Sequence, residues 1–455
     1  MKADGGPYGD RRTRGIAIRR GSRLSSAMAR LILPAATLAL AACGPAAAPP
    51  PQKQAAAGIA RVAVAPEIAT FYAAHGNRPI WMTAAGPAPA ARALAARLAS
   101  AGDDGLDPAR YRAADVAAAI QASWGGDPKT LARAELLLST EYAAYARDVA
   151  SPRSDPTLYA EPGLAPLRAP AGALLQAPSL RLNPLYEALR RGYGEWRRRH
   201  RDARREALVR LNLDRARIIP ASAPRYVIVD AASARLWMID GERVEGPMRV
   251  IVGKPAMQTP VMAGRIRYVV LNPWWNVPPD LARERAKTVV KDGPRLIARQ
   301  RLEILSDWSD AARSIPASAV NWGAVAAGRQ TLRLRQRPGG DNVMGAVKFM
   351  MPNRLGIYLH DFPDKSLFDR ADRRLSSGCV RLADAPRLLA WLYRGRPPAA
   401  RDGAPEQKVD LPEPVPVYIT YLTVLPGGSE GLTFQPDSYG RDRGPPPPVR
   451  PAAED

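Results

Sequence analysis

The sequence predicts an α+β chain: an α-helical domain, then a β-rich domain interrupted by a largely helical insertion. Three observations predict it. Between residues 61 and 217 apolar residues recur at helical spacing; Leu138, Tyr142, Tyr145 and Val149 trace one buried helix face. From residue 225 the texture changes to short β-branched and aromatic runs, Tyr226–Val229, Arg235–Ile239 and Met248–Val252, with the turn pair Asp240-Gly241 among them. Polar, helix-patterned sequence at about 278–330 breaks that rhythm before strands resume at 331–336, 345–350 and 355–360.

Residues 1–42 read as an export signal. A basic region precedes the apolar run at 31–40, which is too short to span a bilayer, and small residues follow it. Leu40-Ala41-Ala42-Cys43 resembles the lipobox of bacterial lipoproteins. The resemblance implies lipidation at Cys43, membrane contact through that anchor and a periplasmic location, with Gly44 favouring the outer membrane. Residues 43–60, rich in Pro, Ala and Gln, read as a tether.

The helical domain follows over 61–217. Asp107-Pro108 marks one helix start and Asn183-Pro184 another; the Pro-rich stretch at 151–182 reads as loops. The β-rich domain spans 225–400, ending in a helix capped by Asp384. Residues 401–439 form a C-terminal extension expected to pack on that domain, with a strand at 415–424. The Pro- and charge-rich 440–455 reads as a disordered tail.

The formal charge of +23 favours an anionic partner. Residues 1–42 hold eight Lys/Arg and two Asp, so the remainder still carries +17. Nucleic acid is not expected, because no nucleic-acid motif is present. Arg197–Arg199 read as a solvated helix face. No metal site or cofactor is expected either: three His and two Cys, widely scattered, do not make a ligand set.

An exported chain meets oxidising conditions, where cysteines tend to pair. With Cys43 lipidated, Cys379 has no partner, and a lone thiol retained there points to use. It lies in Ser376-Ser377-Gly378-Cys379-Val380-Arg381, separated by eighteen residues from His360 at the end of an apolar run. Acyl transfer needs such a pair: an imidazole to take the thiol proton, and backbone N–H groups at a Gly-Cys turn to face the developing oxyanion.

The His360-to-Cys379 segment resembles the signature of YkuD-type L,D-transpeptidases. Further motifs are similar to the YcbB-like subfamily with a helical scaffold domain: Val252-Gly-Lys-Pro255 with Gln258-Thr-Pro260, Asn272-Pro-Trp-Trp-Asn-Val-Pro278, Leu334–Pro338, Lys348-Phe349 and Tyr439-Gly-Arg-Asp442. On the N-terminal side they include Phe71-Tyr72, Trp81 and Asp104–Pro108. The similarity spans about 62–442.

The resemblance implies a peptidoglycan enzyme. Cys379 attacks the tetrapeptide stem of a donor, D-Ala leaves, and an amine of a second stem resolves the thioester as a 3–3 cross-link. His360 is the implied base. Gly378, Ser377 and Arg381 shape the site or its oxyanion hole, and Arg381 either orders the site or binds a stem carboxylate. Tyr358, Trp274 and Trp275 line the groove or fill the core, and 278–330 caps the site. Carbapenems are the implied covalent inhibitors. Water or a D-amino acid as acceptor would make the same thioester an L,D-carboxypeptidase or exchange enzyme. A non-catalytic peptidoglycan-binding lipoprotein is the remaining alternative.

Overall fold

The computed structural model describes residues 56–151, 157–164, 170–176, 178, 182–219, 224–309, 311–401 and 403–443. The expected signal segment, Cys43, most of the tether and residues 444–455 lie outside them.

The helical body comprises α1 (Pro66–Ala74), α2 (Pro89–Ala99), α3 (Ala113–Ala122), α4 (Pro128–Ala150), α5 (Ala171–Gln176), α6 (Pro184–Arg199) and α7 (Ala203–Ala216). Pro at the first helical turn with an Asp or Asn before it starts two of these: Asp127 caps Thr130 in α4 and Asn183 caps Tyr186 in α6. Leu138, Tyr142, Tyr145 and Val149 are all buried along α4, as their spacing requires. Residues 56–60, assigned to the tether on composition, instead join this body, where Ile59 is buried in its core. Of the Arg197–Arg199 run, Arg198 and Arg199 are exposed, while Arg197 pairs with Asp103.

The β domain is a closed, mixed sheet. Its strands, after the short pair β1 (Met82–Thr83) and β2 (Gly86–Pro87) of the helical body, are β3 (Tyr159–Ala160), β4 (Arg225–Asp230), β5 (Arg235–Asp240), β6 (Arg243–Gly253) and β7 (Met262–Leu271). The chain then leaves for the insertion strands β8 (Trp275–Val277), β9 (Leu302–Leu305) and β10 (Arg333–Gln336), and returns as β11 (Val347–Met350), β12 (Leu359–His360), β13 (Arg374–Ser376), β14 (Val380–Leu382) and β15 (Gln407–Thr420). Neighbours run β11-β12-β14-β6-β5-β4-β15-β7, and β7 pairs again with β11, so the ring closes and leaves no open edge there. Most neighbours are antiparallel, as turn-linked short strands suggest, but β12–β14, β4–β15, β13–β6 and β3–β7 are parallel. These parallel partners are far apart in the chain, so local turn signals do not reveal them.

The insertion is larger than its helical texture suggests. Helices α8 (Pro279–Asp292), α9 (Arg295–Arg299) and α10 (Trp322–Ala326) pack on a sheet of their own, ordered β8-β10-β9. The 331–336 run therefore belongs to the insertion and not to the main sheet. Trp275, Val277, Ala286, Leu334 and Met344 share one core there. Within β8, Trp275 and Val277 point in and Asn276 points out, the ordinary strand alternation.

Trp275 is 6% exposed beneath Arg285, so it is core and not groove wall. Trp275→Ala is accordingly expected to cost roughly 3–5 kcal/mol of stability, the range for emptying a buried aromatic site, read as a lowered denaturant midpoint.

The C-terminal extension divides. β15 is an integral strand between β4 and β7. β16 (Val424–Pro426) and β17 (Leu432–Phe434) cross to the helices, burying Val424, Leu425 and Leu432 in the helical core. Residues 440–443, placed in the tail by composition, are ordered, and Arg441 is buried. Helix α11 (Ala385–Leu392) starts where expected, with the Asp384 carboxylate accepting from Arg387 N–H.

Candidate active site

The sheet register assembles the site. His360 of β12 lies between Lys348 of β11 and Arg381 of β14. Cross-strand partners share a face, so these three form one row. The alternate residues Phe349, Leu359 and Val380 are fully buried in the barrel core. Cys379 immediately precedes β14, where Val380 N–H donates to Tyr358 O at 3.1 Å. Tyr358, just before β12, and His360, two residues on, have ring centroids 5.8 Å apart. By the two-residue period Cys379 and Arg381 share a side as well. Tyr358, His360, Cys379 and Arg381 thus gather on the face away from the barrel core.

The imidazole is held as a neutral base. His360 is 2% exposed, and its Nδ1 lies 2.5 Å from the Asp361 carbonyl oxygen. A carbonyl only accepts, so Nδ1 carries the proton and Nε2 keeps its lone pair. Burial first, then the Arg381 and Lys348 charges, push the imidazole down to about 3. The Asp361 carboxylate is itself fixed by Ala346 N–H at 2.9 Å and Lys365 at 2.6 Å. Gly345 is required here, because a Cβ at that position would meet the carboxylate at 2.3 Å.

The thiol is also neutral. Burial pushes Cys379 up to about 11, against hydrogen bonds from the Tyr358 backbone and side chain and the pull of Arg381. Its Sγ lies 3.6 Å from the Gly356 carbonyl, an acceptor that suits the protonated thiol. Both members of the pair are thus held in their neutral forms.

The turn before Cys379 is tightly held. Gly378 has φ +117°, a conformation open to glycine. Its N–H donates to Ser376 Oγ at 3.1 Å, whose own proton goes to Cys379 O at 2.6 Å. The Gly378 amide, expected as an oxyanion donor, is therefore occupied in shaping the turn. Ser377 is exposed.

Arg381 lies over the Phe362 ring at 4.3 Å, forms no ion pair among the described residues, and has a buried Nε without a hydrogen-bond partner. Tyr358 also touches the insertion, its hydroxyl 3.5 Å from Met344 Sδ. Trp274 is partly buried at the base of the insertion. Its N–H donates to Glu406 at 2.7 Å, and Arg335 lies over its ring at 3.9 Å. Lys348, its charge paired with Glu406 at 2.8 Å, is a structural cation of that junction.

Sequence reasoning gave no role to Asp361, Ser376 or Thr259, although each stands inside a quoted motif. Asp361 adjoins His360, a signal that could have found it; Thr259 and Ser376 adjoin neither a glycine nor the Cys–His pair, and no local signal marks them. Among the described residues no group of three or more His, Cys, Asp or Glu could hold a metal ion.

Residues 224–417 match the family model YkuD, the L,D-transpeptidase catalytic domain, and residues 66–191 match a Scaffold domain. A Haemophilus influenzae protein named "Putative L,D-transpeptidase" is 32% identical over 241 residues, 51% of this chain and 47% of that protein. The chain thus spans about half the length of that curated relative. Solved structures with partial likeness include an L,D-transpeptidase from Mycobacterium smegmatis (14% identity, 43% of this chain and 58% of that one, TM-score 0.21). Another is the Ldtfm–avibactam carbamoyl enzyme (12% identity, 44% and 51%, TM-score 0.20).

Proposed function

We propose that this chain, which carries a YkuD-type L,D-transpeptidase catalytic domain with a scaffold domain on its N-terminal side, is a peptidoglycan acyltransferase working through a Cys379 thioester. The observation that supports it most is the shared face of Cys379, Tyr358, neutral His360 and Arg381.

Cys379 Sγ attacks the carbonyl of the third stem residue as His360 Nε2 takes the thiol proton. The Cys379 N–H is the donor we assign to the oxyanion; one such donor contributes about 2.7–4 kcal/mol in comparable hydrolases. Collapse breaks the amide, and His360 returns the proton to the departing D-Ala amine. The amine on the third residue of a second stem then attacks the thioester, giving the 3–3 link and regenerating the thiol. Arg381, cationic and without a carboxylate partner among the described residues, suits a stem carboxylate through its unpartnered Nε. β-Lactams of the carbapenem type would acylate the same sulfur. Lipidation at Cys43 and attachment in the periplasm, with outer-membrane placement, complete the proposal.

Incubation of the chain with tetrapeptide muropeptides, read by mass, tests it. The expected product is a dimer lacking one D-Ala. Tripeptide monomers alone would establish the carboxypeptidase alternative, and unchanged tetrapeptide would refute catalysis.

A further inference from the structure

Two motifs left without a role, Gln258-Thr259-Pro260 and Tyr439-Gly-Arg-Asp442, meet behind the Cys379 turn. Thr259 is fully buried. Its hydroxyl donates to Gly378 O at 2.7 Å and accepts from Gly253 N–H at 2.9 Å. Lys254 N–H donates to Ser376 O at 2.9 Å, so the 253–259 loop grips the turn at both Ser376 and Gly378. The loop is folded tightly on itself, since a Cβ on Gly253 would meet Met257 O at 2.1 Å.

The loop is held from behind by the C-terminal segment. Arg441 donates through Nε (3.0 Å) and Nη2 (2.7 Å) to Gln258 Oε1, and through Nη2 to Thr259 O at 3.1 Å. Gln258 Nε2 returns a bond to Tyr439 O, and the Tyr439 hydroxyl donates to Gly253 O. Arg441 sits on the stacked Tyr421 and Tyr439 rings. The segment is in turn fastened to helix α7: Arg215 pairs with Asp442 at 2.7 Å and donates to Arg441 O at 2.6 Å.

We infer that Thr259 and Arg441 are positioning residues for the Cys379 turn, and that through Arg215 and Asp442 the helical body sets the geometry in which that nucleophile presents its sulfur and its amide. The inference rests on Cys379 being the nucleophile. A hydroxyl that bonds Gly378 O and Gly253 N at once ties the Gly378–Cys379 peptide plane, which carries the reacting residue's amide, to the 253–259 loop. Misplacement by a fraction of an ångström at such a point costs rate more than binding.

The test uses the full chain and meropenem as probe, measuring the limiting acylation rate constant separately from the concentration dependence. Thr259→Val, near-isosteric but without the hydroxyl, is expected to lower the limiting constant at least tenfold with half-saturation changed less than threefold. Thr259→Ser is expected to stay within threefold of wild type. A merely structural role would reduce the reacting fraction and the melting temperature but leave the rate constant of folded molecules alone. An unchanged rate constant in Thr259→Val overturns the inference. Should Thr259→Val not fold, Arg441→Lys makes the same comparison: a fivefold or larger drop supports positioning, and a wild-type constant overturns it. Wild-type chain that never acylates refutes the reading of Cys379 and this inference with it.

Discussion

Replacing Cys379 by Ala is expected to lower tetrapeptide turnover by on the order of 10⁴-fold or more, to background. In the proposed mechanism the sulfur forms the covalent bond on which both half-reactions depend, and the other named groups act on it. In that mechanism His360 takes its proton, while Tyr358 and Arg381 bias its charge and Ser376 and Thr259 hold its backbone. Without it they have no nucleophile to serve. The substitution removes only the Sγ atom, so the melting temperature is expected to stay near wild type. Loss of turnover with retained fold distinguishes a chemical role from a structural one. Peptide turnover near the wild-type rate in the Ala variant would exclude the thioester route.

His360→Gln is expected to reduce turnover by about 10²–10⁴-fold, the span for loss of a positioned general base. The pH dependence is the sharper signature. With the imidazole pushed down to about 3 and the thiol up to about 11, the reactive pair is the neutral one across the intervening range. Wild-type acylation should therefore show no acid limb near the ordinary imidazole value of about 6.5. Alkylation of Cys379 by iodoacetamide should climb with pH well past the ordinary thiol range. A preformed thiolate–imidazolium pair would instead give fast alkylation at pH 6.

The same shift predicts a stability effect. Between about pH 6.5 and 3 the unfolded chain binds a proton at residue 360 that the folded chain does not. Stability is thus lost as pH falls through that window, and His360→Gln should remove this part of the loss.

What the sequence made legible is local. The apolar face of α4, the Asp384 cap and the Gly378-Cys379 turn are each written within a few residues of chain, and each stands where the spacing put it. What it hid depends on distant partners. The ring closes because β7 pairs with β11, and no turn signal records that. Two consecutive tryptophans announce an interface, but strand alternation sends Trp275 into the insertion core and leaves Trp274 at its base, a choice fixed by which face β8 presents. The protonation states of Cys379 and His360 were hidden because proton affinity follows burial and neighbouring charge. His360 meets Arg381 and Lys348 only through sheet register. The bond from Arg441 to Gln258 spans most of the catalytic domain's sequence and is invisible to any window along it.

Intact-mass measurement after exposure to a carbapenem tests the central claim most directly. The account predicts one adduct on wild type, located by digestion to the peptide containing residue 379, and none on Cys379→Ala. An adduct of equal yield on the Ala variant, or one located elsewhere in the chain, would contradict it.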